Sequence, residues 1–122
     1  MEGATAAFGA EQSATFGKAA AAAPFTIRTL GLGSGVATLA AKGDEHKKLA
    51  AMIARWLIKD GHWQMPGANP PINNTEDDYV RALLAAIATS SRADYRTAQS
   101  EAMGYVGWIK KLAKAFCPKE DG

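Results

Sequence analysis

The 122-residue chain holds one cysteine, two histidines and no apolar run long enough to span a bilayer. Each shortage removes a class of function. A lone Cys117 cannot close an internal disulfide, so a reducing, intracellular compartment is expected. No histidine or acid neighbours it to activate the thiol, which leaves a reactive role unsupported. His46 and His62 lie sixteen residues apart, with no second ligand at i+3 or i+4 of either, and that spacing argues against zinc. The alanine tract at residues 19–23 falls far short of the ~20 apolar residues of a spanning helix. Residues at the N-terminus resemble neither a secretory signal nor an Arg-rich transit peptide. The expectation is a cytoplasmic protein with no membrane contact. Nothing in the sequence assembles a nucleophile, a base and an orienting group, so no catalysis is expected and no cofactor is implied.

What the chain does have is alanine and a separation of charge. Hydrophobic residues make up 48% and charged residues 21%, ordinary values for a globular chain of one domain. The excess of alanine over β-branched residues favours helices and makes strands improbable. A net charge of +2 is too mild to announce a nucleic-acid binder, so its distribution matters more than its sum. Between residues 28 and 59 stand Arg28, Lys42, Lys47, Lys48, Arg55 and Lys59 against only Asp44 and Glu45. Residues 60–78 hold Asp60, Glu76, Asp77 and Asp78 with no Lys or Arg. A dipolar surface is the expected result.

Periodicity and punctuation predict an all-α fold, a single compact bundle of about five helices with one long Pro/Asn-rich loop. The first helix occupies residues 4–23, with Phe8, Phe16, Ala19, Ala20 and Ala23 on one side. Its first residues are expected to fray, because Gly9 and Gly17 weaken it. Pro24 reads as a break that opens a second helix to Lys42, with Ile27, Leu30, Val36 and Leu39 inward and Gly43 as its stop. Asp44 reads as the cap of a third helix, whose core stripe is Leu49, Met52, Ile53, Trp56 and Leu57 and whose other face carries Lys48, Arg55 and Lys59. Gly61 ends it. Residues 61–75, rich in Pro, Gly and Asn, form the irregular segment, and a loop of that length is more often functional or mobile than mere connection. Thr75 with Asp78 forms a capping box for a fourth helix with Tyr79, Val80, Leu83, Leu84 and Ile87 inward.

The last helix is the most legible. Ser91 and Asp94 form its capping box and Pro118 closes it. At about 100° per residue, Tyr95, Ala98, Ala102, Tyr105, Val106, Ile109, Leu112, Ala113 and Phe116 share a core stripe. Opposite lie Arg96, Ser100, Gly104, Gly107, Lys110, Lys111 and Lys114, a basic surface that is flat at both glycines and open to an anion or another protein.

Several constellations have a plain reading. The glycines at residues 31–35 lack the Lys-Ser/Thr of a phosphate loop and the preceding strand of a dinucleotide site, which favours glycines that let two helices pack closely or that kink one. Consecutive Glu76, Asp77 and Asp78 splay around a helix, so they serve the positive end of its dipole better than a metal. The basic faces carry more weight. Lys110, Lys111 and Lys114 suit the C-terminal end of a helix on dipole grounds alone. Together with Arg96, and with the second face of Lys48, Arg55 and Lys59, they make candidate RNA contacts. Trp63 either stacks on a base or plugs the loop onto the core, the plug being favoured. Trp108, on the shoulder of the last helix beside Glu101, fits partial burial or a protein interface, as do Gly104 and Gly107.

The stretch from Tyr95 to Ala115 resembles the closing signature of the small α-helical subunit of type III-B CRISPR effector complexes, the fifth subunit family of the Cmr complex. The matching residues are Tyr95, Arg96, Glu101, Ala102, Tyr105, Val106, Trp108, Ile109, Lys110, Lys111, Ala113 and Ala115. Upstream, "TIRTLGLGSGVATLAAK" and "LAAMIARWL" are similar to two earlier helices of that family. The likeness runs from Phe25 to about Phe116, with a gap across the Pro/Asn loop. It departs at residues 1–23, which are nearly uncharged where the family opens with a more charged helix. The resemblance implies a non-catalytic scaffold subunit that stacks along the backbone subunits, meets further copies of itself and helps form the basic channel for guide (crRNA) and target RNA. The alternative is an independent small helical DNA-binding regulator, disfavoured because Tyr95 and Ala98, where base-reading residues would stand, belong to the core stripe.

Overall fold

A row of small side chains carries the first helix straight through a proline. The computed structural model describes the backbone of residues 2–116 and the side chains of residues 14–116. Helix α1 spans Glu2–Leu30 with Pro24 inside it, so the break expected at the proline is not there. The missing N–H and the ring clash cost a helix interior about 3 kcal/mol. Phe16, Ala19, Ala20, Ala23 and Ile27 nevertheless line one buried stripe on both sides of the proline. Packing of α1 against its neighbours outweighs the local defect. The chain breaks instead at Gly31, whose φ of 86° suits glycine and strains any other residue. Phe8 and Cys117 lie outside the described side chains.

Helix α2 follows at Leu32–Lys42 and α3 at Asp44–Arg55, which continues as a π turn over Trp56–Asp60. The amide of Lys47 donates to the Gly43 carbonyl at 2.8 Å, so Gly43 is the N-cap and Asp44 the first helical residue, not the cap the sequence predicted. Helix α4 covers Glu76–Thr89 and α5 covers Arg92–Phe116. Their caps are as expected: Thr75 Oγ1 accepts from the Asp78 amide at 3.1 Å, and Ser91 Oγ from the Asp94 amide at 3.0 Å. The described residues form an all-α bundle of five α-helices without strands.

The hairpin of α1 and α2 is tight because Gly35 faces Ile27, where an added Cβ would lie 3.2 Å from the Ile27 Cα. The close-packing reading of these glycines therefore holds. The first amides of α2 are also taken: Leu32 N–H donates to Gln99 Oε1 at 3.0 Å and Gly33 N–H to the Tyr95 hydroxyl at 3.3 Å. This clamp joins the start of α2, just past the Gly31 break, to the N-terminal part of α5. Ile27, Leu32, Val36, Leu49, Ile53, Leu57, Leu83 and Val106 are the largest fully buried side chains, each contributing about 1.5–3 kcal/mol by leaving water. Two expected core residues are outside: Leu30 is 47% and Phe116 79% exposed. Both stand at a helix end, where periodicity extends past the last residue the neighbours cover.

The segment between α3 and α4 divides in two. Met65 is buried, its amide donates to the Leu57 carbonyl at 2.9 Å, and Trp63 and Ala68 pack against the core. Trp63 is thus the plug, not a free stacking platform. Beyond it Ile72 is 97% exposed.

Candidate interaction surfaces

Two basic faces and one aromatic groove are the features with chemical potential. The first basic face lies where α3 meets α4. Lys47 Nζ is 3.1 Å from Asp77 Oδ1 and Lys48 Nζ 3.6 Å from Glu76 Oε2. Arg55 Nε is 2.9 Å from Asp60 Oδ2, and its guanidinium lies 6.0 Å from the centre of the Tyr79 ring. The acidic segment has folded onto the basic one, so the dipolar surface expected from their separation in sequence is largely cancelled here. Of the three RNA candidates on this face, Lys48 and Arg55 are ion-paired and Lys59 is exposed. The carboxylates of Glu76 and Asp77 do two jobs, meeting the helix dipole and holding the lysines. In the first turn of α3, burial pushes the His46 imidazole below its usual range, Lys42 pushes the same way, and Glu45 opposes them.

The second basic face is the outer side of α5. Arg96, Lys110, Lys111 and Lys114 are all exposed, and no ion pair holds any of them among the described residues. Their spacing keeps them off the stripe of Ala98, Ala102, Val106, Ile109 and Ala113, which is buried. Gly104 and Gly107 lie on this outer side, and a Cβ at either would touch nothing within 4 Å. The fold does not require these glycines, although each costs a helix interior about 1 kcal/mol relative to alanine.

The groove lies between α5 and the π turn. Trp56 stacks on Tyr105 with ring centres 4.8 Å apart and planes 13° apart. His62 meets the Trp56 ring edge-on at 6.5 Å, and its Nε2 lies 3.4 Å from Glu101 Oε2. Gly61 permits this turn: its amide donates to the Trp56 carbonyl at 2.8 Å, and a Cβ would stand only 2.7 Å from that oxygen. Ser100, Gly104, Trp108 and Ile109 complete a depression of about 530 Å³. Trp108 is 58% exposed. Burial, helped by Asp60 and opposed by Arg55, pushes the Tyr105 phenol above its usual range, so it keeps its proton and its donor capacity.

Sequence reasoning assigned Trp56 and Tyr105 to separate core stripes and missed that they build one wall. The only available signal was the density of aromatic and imidazole rings around Gly61. Lys47 was also not among the candidates, though it makes the shorter of the two α3–α4 lysine pairs. No group of three or more His, Cys, Asp or Glu side chains among the described residues converges on a metal position. No helix among them is long and apolar enough to cross a membrane.

The family model described as CRISPR-associated protein (Cas_Cmr5) matches residues 2–116. The chain belongs to that family. Neither a curated protein nor a solved structure gives a match. As a CRISPR-associated Cmr subunit, the chain is matched from residue 2 onward. The family's boundary therefore includes the alanine-rich first helix, which the likeness of motifs from Phe25 onward had left aside. All three Cmr surfaces described above fall within the matched residues.

Proposed function

We propose that this chain is the non-catalytic small subunit of a type III-B CRISPR RNA-targeting complex acting in antiviral defence in the cytoplasm. In this reading it stacks along the filament of backbone subunits, meets further copies of itself, and helps line the basic channel in which guide RNA and target RNA pair. Target cleavage and signal synthesis belong to other subunits. The observation that carries the proposal is the family match over nearly the whole chain. The exposed lysines at the end of α5, which no carboxylate among the described residues neutralises, support the RNA role, because such cations can displace counterions from phosphates.

The test is a reconstitution with and without this chain. Co-purification with the backbone subunit, together with a salt-dependent gain in RNA affinity when the chain is added, is the expected result. A chain that stays monomeric beside the other subunits, or binds a defined duplex DNA site by itself, would return the regulator reading. RNA affinity unchanged by an incorporated chain would remove channel lining and leave a scaffold alone.

A further inference from the structure

The groove between α5 and the π turn has a composition that the RNA reading does not use. The one carboxylate at its lining is Glu101, beside the His62 imidazole and the Ser100 hydroxyl, and the rest of the wall is aromatic or apolar. A carboxylate beside open aromatic faces repels phosphate and attracts a cation. The Glu101 side chain is only 24% exposed, while its partner His62, which also meets the Trp56 ring edge-on, is 77% exposed. Trp108, more than half exposed, offers an indole face on which a planar cation can lie. Arginine suits this pairing better than lysine, because a flat guanidinium can stack on a ring and give a carboxylate two parallel hydrogen bonds. Next to the groove, Gly104 and Gly107 leave the α5 backbone uncovered at a cost the fold itself does not demand. A partner backbone can approach closely there.

We infer that this groove is a protein-docking site that takes an arginine side chain of another subunit, stacked on Trp108 and paired with Glu101, with the partner's main chain lying over Gly104 and Gly107. The inference rests on the reading of the chain as a complex subunit and assigns the two sides of α5 different ligands: protein at the groove, RNA at the terminal lysines.

Two measurements test it. In the first, the full chain is titrated with acetyl-Gly-Arg-Gly-amide while the indole N–H resonance of Trp108 is followed, with the lysine analogue and guanosine monophosphate as comparisons. A saturable shift with the arginine peptide that is weaker with lysine and lost in Glu101→Gln supports the site. No shift with arginine, equal shifts in Glu101→Gln, or a saturable shift with the nucleotide instead overturns it. In the second, Glu101→Gln and Gly104→Leu, each first shown to melt like the wild type, are assembled with the other complex subunits. Association weakened on the order of tenfold, the usual scale for losing one charge-assisted contact, is expected. Wild-type assembly by both variants refutes the docking site while leaving the proposed function intact. If the wild type itself does not assemble, the proposed function fails, and the peptide titration alone decides the groove.

Discussion

Lysines on α3 and lysines on α5 look alike in the sequence and differ in the folded chain. On α3, Lys47 and Lys48 meet Asp77 and Glu76 of α4, and Arg55 meets Asp60 one turn on. On the last turns of α5, Lys110, Lys111 and Lys114 stand exposed, with no carboxylate paired to them among the described residues. Exposed ion pairs contribute only about 0–1 kcal/mol each to stability, so the pairing on α3 does little to hold α4 down. Its main effect is on the field: at a screening length of about 8 Å in physiological salt, a lysine with an acid 3 or 4 Å away presents almost nothing to a distant phosphate. A count of cations therefore overstates the α3 face, whereas among the described residues the α5 cations have no such partner.

The comparison depends first on the rotation of α5, and the largest effect tests that. Ile109→Ala should cost about 2–4 kcal/mol, as large-to-small changes at buried sites do, because Ile109 is 7% exposed. Half-buried Leu112 should cost less when cut to alanine, about 1–2 kcal/mol by the same scale, and Lys111→Ala less than about 0.5 kcal/mol. Denaturant unfolding of the three variants gives the order. If the lysine variant is as damaged as the isoleucine variant, α5 is turned the wrong way and its basic face does not exist.

The next effect separates the two faces directly. Lys110→Glu with Lys114→Glu should weaken RNA capture by the assembled complex about tenfold or more and lower the slope of log affinity against log salt by roughly 1.4, two single-strand phosphate contacts' worth. The matching change at Lys48 and Arg55 should do much less, since those cations are already neutralised. Equal losses from both pairs would end the distinction. Lost assembly with unchanged RNA affinity would make the α5 lysines a protein contact.

Removing the acids sharpens the contrast from the other side. Glu76→Gln with Asp77→Asn strips the carboxylates from Lys47 and Lys48 and from the start of α4. A loss of about 0.5–2 kcal/mol at low ionic strength, shrinking with added salt, is expected in thermal or denaturant melts. The same variant should bind RNA more tightly without sequence preference, because it removes the carboxylate that pairs with Lys47. Unchanged RNA affinity would mean that charge cancellation is not what silences α3.

The smallest effect lies at His46, where Lys42 adds to burial in resisting protonation. A histidine held below its ordinary value of 6.5 binds its proton more readily when unfolded. Stability is therefore undiminished above about pH 6.5 and falls as pH drops through that value toward the lower folded one. His46→Gln should flatten part of that fall in melts between pH 7 and 5. An unchanged profile would show that His46 is as well solvated in the fold as outside it.

Much of this was legible along the chain. The stripe of α5, the capping serine and threonine, and the inward faces of α3 and α4 follow from periodicity and local hydrogen bonding, which involve residues three or four apart. Pro24 misled because a local helix breaker was weighed without the stripe from Phe16 to Ile27 that packs across it. Leu30 and Phe116 misled because apolar spacing cannot tell where a neighbouring helix ends.

The sequence by itself determined the all-α class, the caps at Thr75 and Ser91, most of the core stripes of α3, α4 and α5, and the family, since these depend on short-range spacing and on motifs read in order. Only the tertiary structure decided which cations remain free and which rings form a wall. Lys48 and Glu76, or Trp56 and Tyr105, are far apart along the chain, and the distance that sets their Coulomb or stacking energy exists only once the helices are packed.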